Sequence, residues 1–121
     1  MQNAVATTRY EREFDDTAKR YRPRAVTEVP LPGKWEGTRK LVATTHWRYR
    51  FCAEAGGWYM PEGALVTQVS CFDAGNFAGT LLYHWWTRPA RVTKKAVREQ
   101  HEKVRAEEMD FLVRKAEKLP V

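Results

Sequence analysis

The chain has 121 residues; 43% are aliphatic, aromatic or cysteine and 30% are charged, with only 7 Gly and 6 Pro. That composition excludes collagen-like, mucin-like and wholly disordered chains and leaves room for one small domain, with or without a tail. Lys and Arg outnumber Asp and Glu by 21 to 15, a formal charge of +6 that suits an anionic partner, phospholipid or nucleic acid, while 2 cysteines exclude a disulfide scaffold or a four-thiolate metal site.

Met1 to Thr8 is too short and polar for a secretory signal. The arginines from Arg9 to Arg24 are interleaved with Glu11, Glu13, Asp15 and Asp16, unlike a transit peptide, so an organellar protein would need an internal signal or be already mature. Tyr10, Phe14, Ala18 and Tyr21 lie at helical spacing and predict a short amphipathic helix over 8–21, ended by Pro23. Pro23 to Gly37, with Pro30, Pro32 and Gly33, reads as an extended connector. From Leu41 to Phe51 the period changes: Trp47, Tyr49 and Phe51 alternate with His46, Arg48 and Arg50, the pattern of a strand with one aromatic and one basic face. The same alternation can stack bases and hold phosphates, or seat Trp and Arg at a bilayer surface.

Residues 61–87 admit two readings. After Arg50 no Lys or Arg occurs until Arg88, a gap of 37 residues. Such exclusion is what hydrocarbon imposes, although a buried core also excludes charge. The leading expectation is a mainly α chain: an extramembrane N-terminal part over 1–60, a transmembrane helix over 61–87 and a charged amphipathic helix over 88–121. Trp58 and Tyr59 at one end and Tyr83, Trp85 and Trp86 at the other suit an interfacial aromatic belt. Ser70, Ala74 and Ala78 form one small-residue ridge, with Cys71, Gly75 and Gly79 beside it, and predict a helix-contact face. Trp85, Trp86, Arg88, Arg91, Lys94 and Lys95 are then the candidate lipid-binding residues, for an anionic phospholipid such as cardiolipin. Asp73, Asn76, Thr80 and His84 fall on one stripe of such a helix, which must face protein or water. The alternative is a soluble hairpin, Ala64–Phe72 turning at Asp73-Ala74-Gly75-Asn76 into Phe77–Trp86, within an α+β fold of small antiparallel sheet and C-terminal helix.

Pro89 is placed to open a final helix, and Ala90, Val97, Val104 and Phe111 repeat every seven residues, widened by Leu112, Ala116 and Leu119. A single rod of about 45 Å follows. No catalytic residue, metal site or cofactor is expected: His46, Cys52, Cys71, His84 and His101 have no local ligand spacing, and no phosphate or dinucleotide loop is present.

From Gly75-x-x-x-Gly79 through Tyr83-His84-Trp85-Trp86 and Arg88-Pro89 into a charged helix, the layout resembles small single-span accessory subunits of mitochondrial inner-membrane complexes, such as subunit e of the ATP synthase. The resemblance covers about 45 residues. It implies a non-catalytic subunit of an ATP synthase or respiratory-chain complex in the mitochondrial inner membrane, acting in assembly, with other subunits as partners and Gly75 and Gly79 as helix-contact positions. The alternative function is that of a soluble basic α+β RNA-binding protein, such as an organellar ribosomal subunit. A small phage or bacterial protein that binds another protein is a third.

Overall fold

From Arg9 to Asp15 the acids stand only on odd positions (Glu11, Glu13, Asp15) and the aromatics only on even ones (Tyr10, Phe14). That is the period of an extended strand, and Tyr10 and Phe14 share a face at spacing four in a strand as they do in a helix. The computed structural model describes residues 6–52, 58–86 and 92–120, without the side chains of 50–52 and 58–62. In it the expected helix over 8–21 is instead a hairpin of β1 (Thr7–Asp15) and β2 (Arg20–Pro30). The expected connector is strand as far as Pro30; residues 31–38 then leave the ladder through a 3-10 turn at Gly33–Trp35 and a further turn before β3 (Arg39–Cys52).

The transmembrane helix expected over 61–87 is likewise replaced by two strands, β4 (Trp58–Asp73) and β5 (Asn76–Trp85). No helix among the described residues is long and apolar enough to cross a membrane. Asp73 faces Asn76, and Ala74 and Gly75 between them have φ of 50° and 83°. Two central residues with positive φ make the tight turn that matches strand twist, and Gly75 is there for that conformation. The cation gap has its own explanation. Leu65, Val66, Thr67, Val69, Ser70 and Cys71 are all buried, so β4 has both faces covered and excludes Lys and Arg as firmly as lipid would. The small-residue ridges do not form one face. Ser70 and Cys71 point to opposite sides of β4, Ala74 and Gly75 turn the chain, and Ala78 is an extra residue where the β4–β5 register slips between Gly79 and Phe77. The membrane features built on that helix fall with it.

The five strands form one antiparallel sheet in the order β1-β2-β3-β4-β5, and two helices, α1 (Lys94–Glu107) and α2 (Met109–Glu117), follow. This is the α+β alternative, with the single rod broken at Glu108. Thr93 caps α1 by accepting the Ala96 N–H at 3.1 Å. Val97, His101 and Val104 of α1 and Met109, Leu112 and Ala116 of α2 are buried, whereas Phe111 of the expected seven-residue seam is exposed. They cover the sheet face carrying Leu41, Ala43, Val69 and Cys71. Each such Leu or Val contributes roughly 1.5–3 kcal/mol by leaving water.

Two polar devices lock the helices down. Arg39 is fully buried; it bonds Asp73 at 2.9 Å, the carbonyls of Ala116, Leu119 and Pro120 at 2.9, 3.0 and 3.3 Å, and stacks on Trp35 at 3.6 Å. It therefore caps the C-terminal end of α2. His101 sits between Thr27 Oγ1, 2.6 Å from its Nε2, and Thr45 Oγ1, 2.8 Å from its Nδ1. Thr45 bonds Thr67 at 2.8 Å, Thr67 accepts the Trp86 indole N–H at 2.7 Å, and Thr27 bonds Thr8 at 2.8 Å. A continuous polar chain thus crosses the sheet beneath α1.

Candidate nucleic-acid interface

The β2–β3 ladder ends at Ala25↔Thr45, two residues from Pro23, which has no N–H to offer a neighbouring strand, while β1 and β2 stay paired out to Asp15↔Arg20. The β1–β2 hairpin consequently runs on past its junction with the rest of the sheet. Its tip is fixed by Asp15 Oδ1, which accepts the N–H groups of Thr17 at 3.0 Å and Ala18 at 3.1 Å. Burial disfavours the Asp15 carboxylate, but hydrogen bonds from Tyr49, Arg22 and the Ala18 N–H outweigh it and hold its pKa down to about 2.

The hairpin has two unlike faces. On the face away from the helices its cations other than Arg20 are compensated. Arg9 and Lys40 both bond Glu28, Arg24 bonds Glu11 and Glu13, Arg48 bonds Glu13, and Arg22 bonds Asp15. Hydrogen bonds from Lys40 and then Arg9 push the Glu28 pKa below its usual value.

On the helix side, Phe14 lies opposite Tyr21, Arg12 opposite Pro23 and Tyr10 opposite Ala25, so Tyr10, Arg12, Phe14 and Tyr21 share one surface. All three rings are about half exposed, at 49%, 47% and 59%. The Arg12 guanidinium lies 5.1 Å from the Tyr21 ring, and Arg98 of α1 lies 5.3 Å from that of Tyr10. Phe14 meets Tyr21 edge-to-face at 5.2 Å. Between hairpin and helix is a cavity of about 350 Å³ walled by Tyr10, Arg12, Pro23, Arg24, Lys94 and Arg98, with Glu11, already bonded to Arg24, as its one acid. Among the described residues Arg12, Lys94 and Arg98 form no salt bridge. Here alone on the hairpin cations and open aromatic faces coincide without compensating acids.

The sequence-predicted residues are placed as follows. Lys94 and Lys95 begin α1, Lys94 at the cavity and Lys95 in a loose pair with Glu99 at 3.9 Å. Trp85 is on β5 with its ring partly exposed, while Trp86 is tucked toward the core. Arg88 and Arg91 lie outside the described residues. Ser70, Cys71, Ala74, Gly75, Ala78 and Gly79 are spread over β4, the turn and β5 and share no helix face. The described part of the aromatic–basic strand is engaged internally: Arg48 is tied to Glu13, and Trp47 lies under Arg22 at 4.9 Å and against Gly63, where a Cβ would come within 2.6 Å of its ring, while the side chains of Arg50 and Phe51 lie outside the described ones. His46 is buried with neither ring nitrogen bonded among the described residues, and burial followed by Arg48 lowers its pKa to about 4. Asp73 and His84 stand near opposite ends of β5, so they do not pair. No three metal-binding side chains cluster among the described residues.

Arg12 and Arg98 are the cavity cations that sequence reading missed; Lys94 is singled out by it, but for lipid. The alternation of acids on odd and aromatics on even positions in β1 is the signal that separates the two faces; the meeting with α1 leaves no local trace. No protein-family model matches this chain, and no curated protein or solved structure is similar to it.

Proposed function

We propose that this chain is a single-strand RNA-binding domain that works by stacking and charge, without catalysis. The observation that carries the reading is the surface of Tyr10, Phe14 and Tyr21 interleaved with the uncompensated cations Arg12, Lys94 and Arg98. Every base has a π-face, so exposed rings bind a strand with little sequence preference, while guanidinium and ammonium groups follow its phosphates. The cavity has room for a phosphate beside Lys94 and Arg98, with Tyr10 at its rim. The formal charge of +6 aids encounter with such a partner.

The test is fluorescence anisotropy with a labelled single-stranded RNA over a salt series. Three phosphate contacts give a slope of log affinity against log salt near about −2, and Arg12→Gln reduces it by about 0.7. Tyr10→Ala and Tyr21→Ala each weaken binding roughly tenfold, because a base–ring stack is worth about 1–3 kcal/mol, while Lys118→Gln, at the far end of α2, leaves binding unchanged. Salt-independent binding, or affinities equal to wild type in both tyrosine variants, overturns the proposal.

A further inference from the structure

The two edges of the sheet are guarded very differently. β1 carries Arg9, Glu11, Arg12, Glu13 and Asp15 in nine residues. β5, from Asn76 to Trp85, carries no Asp, Glu, Lys, Arg or Pro at all. Charges and prolines are the usual means by which an edge strand is kept from pairing with another chain, and β5 has neither. Three large aromatics are among its exposed residues: Phe77, Tyr83 and Trp85 are 62%, 48% and 39% exposed, and Tyr83 and Trp85 meet edge-to-face at 5.7 Å.

Backbone direction adds a second observation. The Trp86 N–H bonds the Leu65 carbonyl at 2.9 Å, so in an antiparallel ladder the even residues 86, 84 and 82 turn their polar groups toward β4. The N–H and C=O groups of Tyr83 and Trp85 therefore point outward. The register slips at Leu81 and Ala78, so Leu82–Trp85 is the regular stretch of the edge.

The geometry points to a second copy of this chain as the partner of β5, paired antiparallel about a twofold axis. Charge selects this occupant. Two chains of charge +6 repel wherever their cations meet, and the 37-residue gap between Arg50 and Arg88 contains both β4 and β5. Along β5 itself two copies pair strand to strand without setting one Lys or Arg opposite another, and Lys103 lies over the Trp86 ring at the end of the strand. With the axis at His84, Tyr83 of one protomer exchanges backbone hydrogen bonds with Trp85 of its partner, and the rings of the two pairs gather on one face. The two hairpins then lie at opposite ends of a ten-stranded sheet. The inference does not rest on the RNA reading, since it concerns the other edge and is read without RNA.

The experiment is sedimentation and light scattering of the full chain from about 1 to about 200 μM, with hydrogen exchange by NMR in parallel. Expected are a mass approaching twice 14.1 kDa as concentration rises, and concentration-dependent protection of the Tyr83 and Trp85 amides. Tyr83→Lys and Trp85→Pro give monomers, the second by removing an outward N–H and no bond to β4. Phe111→Lys, an exposed aromatic on α2, leaves the dimer intact. A monomer at every concentration, or association without protection of those two amides, overturns the inference; the wild-type measurement alone decides it if a variant does not fold.

Discussion

Protonating His101 should unfold this domain from within. Trp86 Nε1–H can only donate, and it donates to Thr67. If Thr67 donates to Thr45 and Thr45 to His101 Nδ1, then Nε2–H donates to Thr27 and Thr27 to Thr8, and every link is satisfied by a neutral imidazole. A proton on Nδ1 makes Thr45 an acceptor there and leaves one hydroxyl hydrogen of the Thr45–Thr67 pair without an acceptor in the chain. Burial adds the larger penalty and Arg105 a smaller one, and together they lower the His101 pKa from 6.5 to about 4. The unfolded chain thus binds the proton more readily than the folded one, so stability is complete above the unfolded value and falls as pH drops from 6.5 toward 4. Over that window the loss is about 3 kcal/mol for His101, at about 1.4 kcal/mol per unit. His46, shifted to about 4 by burial, adds a comparable loss. Urea denaturation between pH 5 and 6 should give a slope of about 2.3 kcal/mol per pH unit for these two groups, and His101→Gln should halve it. NMR of the ring nitrogens should show the Nε2–H tautomer throughout. A slope unchanged in His101→Gln, or a His101 ring that titrates at its ordinary 6.5, refutes the reasoning.

Other outcomes follow from single contacts. Arg39→Met strips the α2 cap and leaves Asp73 and three carbonyls without their cation. Because Asp73 is 29% exposed and can rehydrate, the cost falls at the lower end for a broken buried pair, about 3 kcal/mol, or roughly a 10 °C fall in Tm. Hydrogen exchange should quicken in Met109–Glu117 more than in α1; equal acceleration in both helices speaks against the cap. Gly63→Ala places a Cβ 2.6 Å from the Arg48 carbonyl oxygen and from the Trp47 ring, and backbone cannot yield cheaply. A loss of about 2 kcal/mol is expected by chemical denaturation, with altered tryptophan fluorescence; a stability equal to wild type contradicts the packing.

Much of the fold is written in short stretches of sequence. The alternation over Leu41–Phe51, the turn at Asp73–Asn76 and the heptad-like spacing that begins at Val97 each mark their element, because strand period, positive φ and helical face are properties of neighbouring residues. The β4 part of the cation-free stretch marks a solvent-excluded region, whereas β5 is largely exposed. What covers that region is a different matter: lipid and protein exclude charge by the same desolvation cost, so only the packing of helices and strands around β4 decides between them. The hairpin was hidden for a related reason, since spacing four puts Tyr10 and Phe14 on one face of either a helix or a strand. The proposed RNA interface needs Arg12 of β1 and Lys94 and Arg98 of α1, more than 80 positions apart, brought to one cavity. The chain alone determined that positive charge is in excess. Folding decided which cations meet open rings, because Arg9, Arg22 and Arg24 of the hairpin find carboxylates across the sheet, while Arg12 lies with Lys94 and Arg98 of α1 beside Tyr10 and Tyr21.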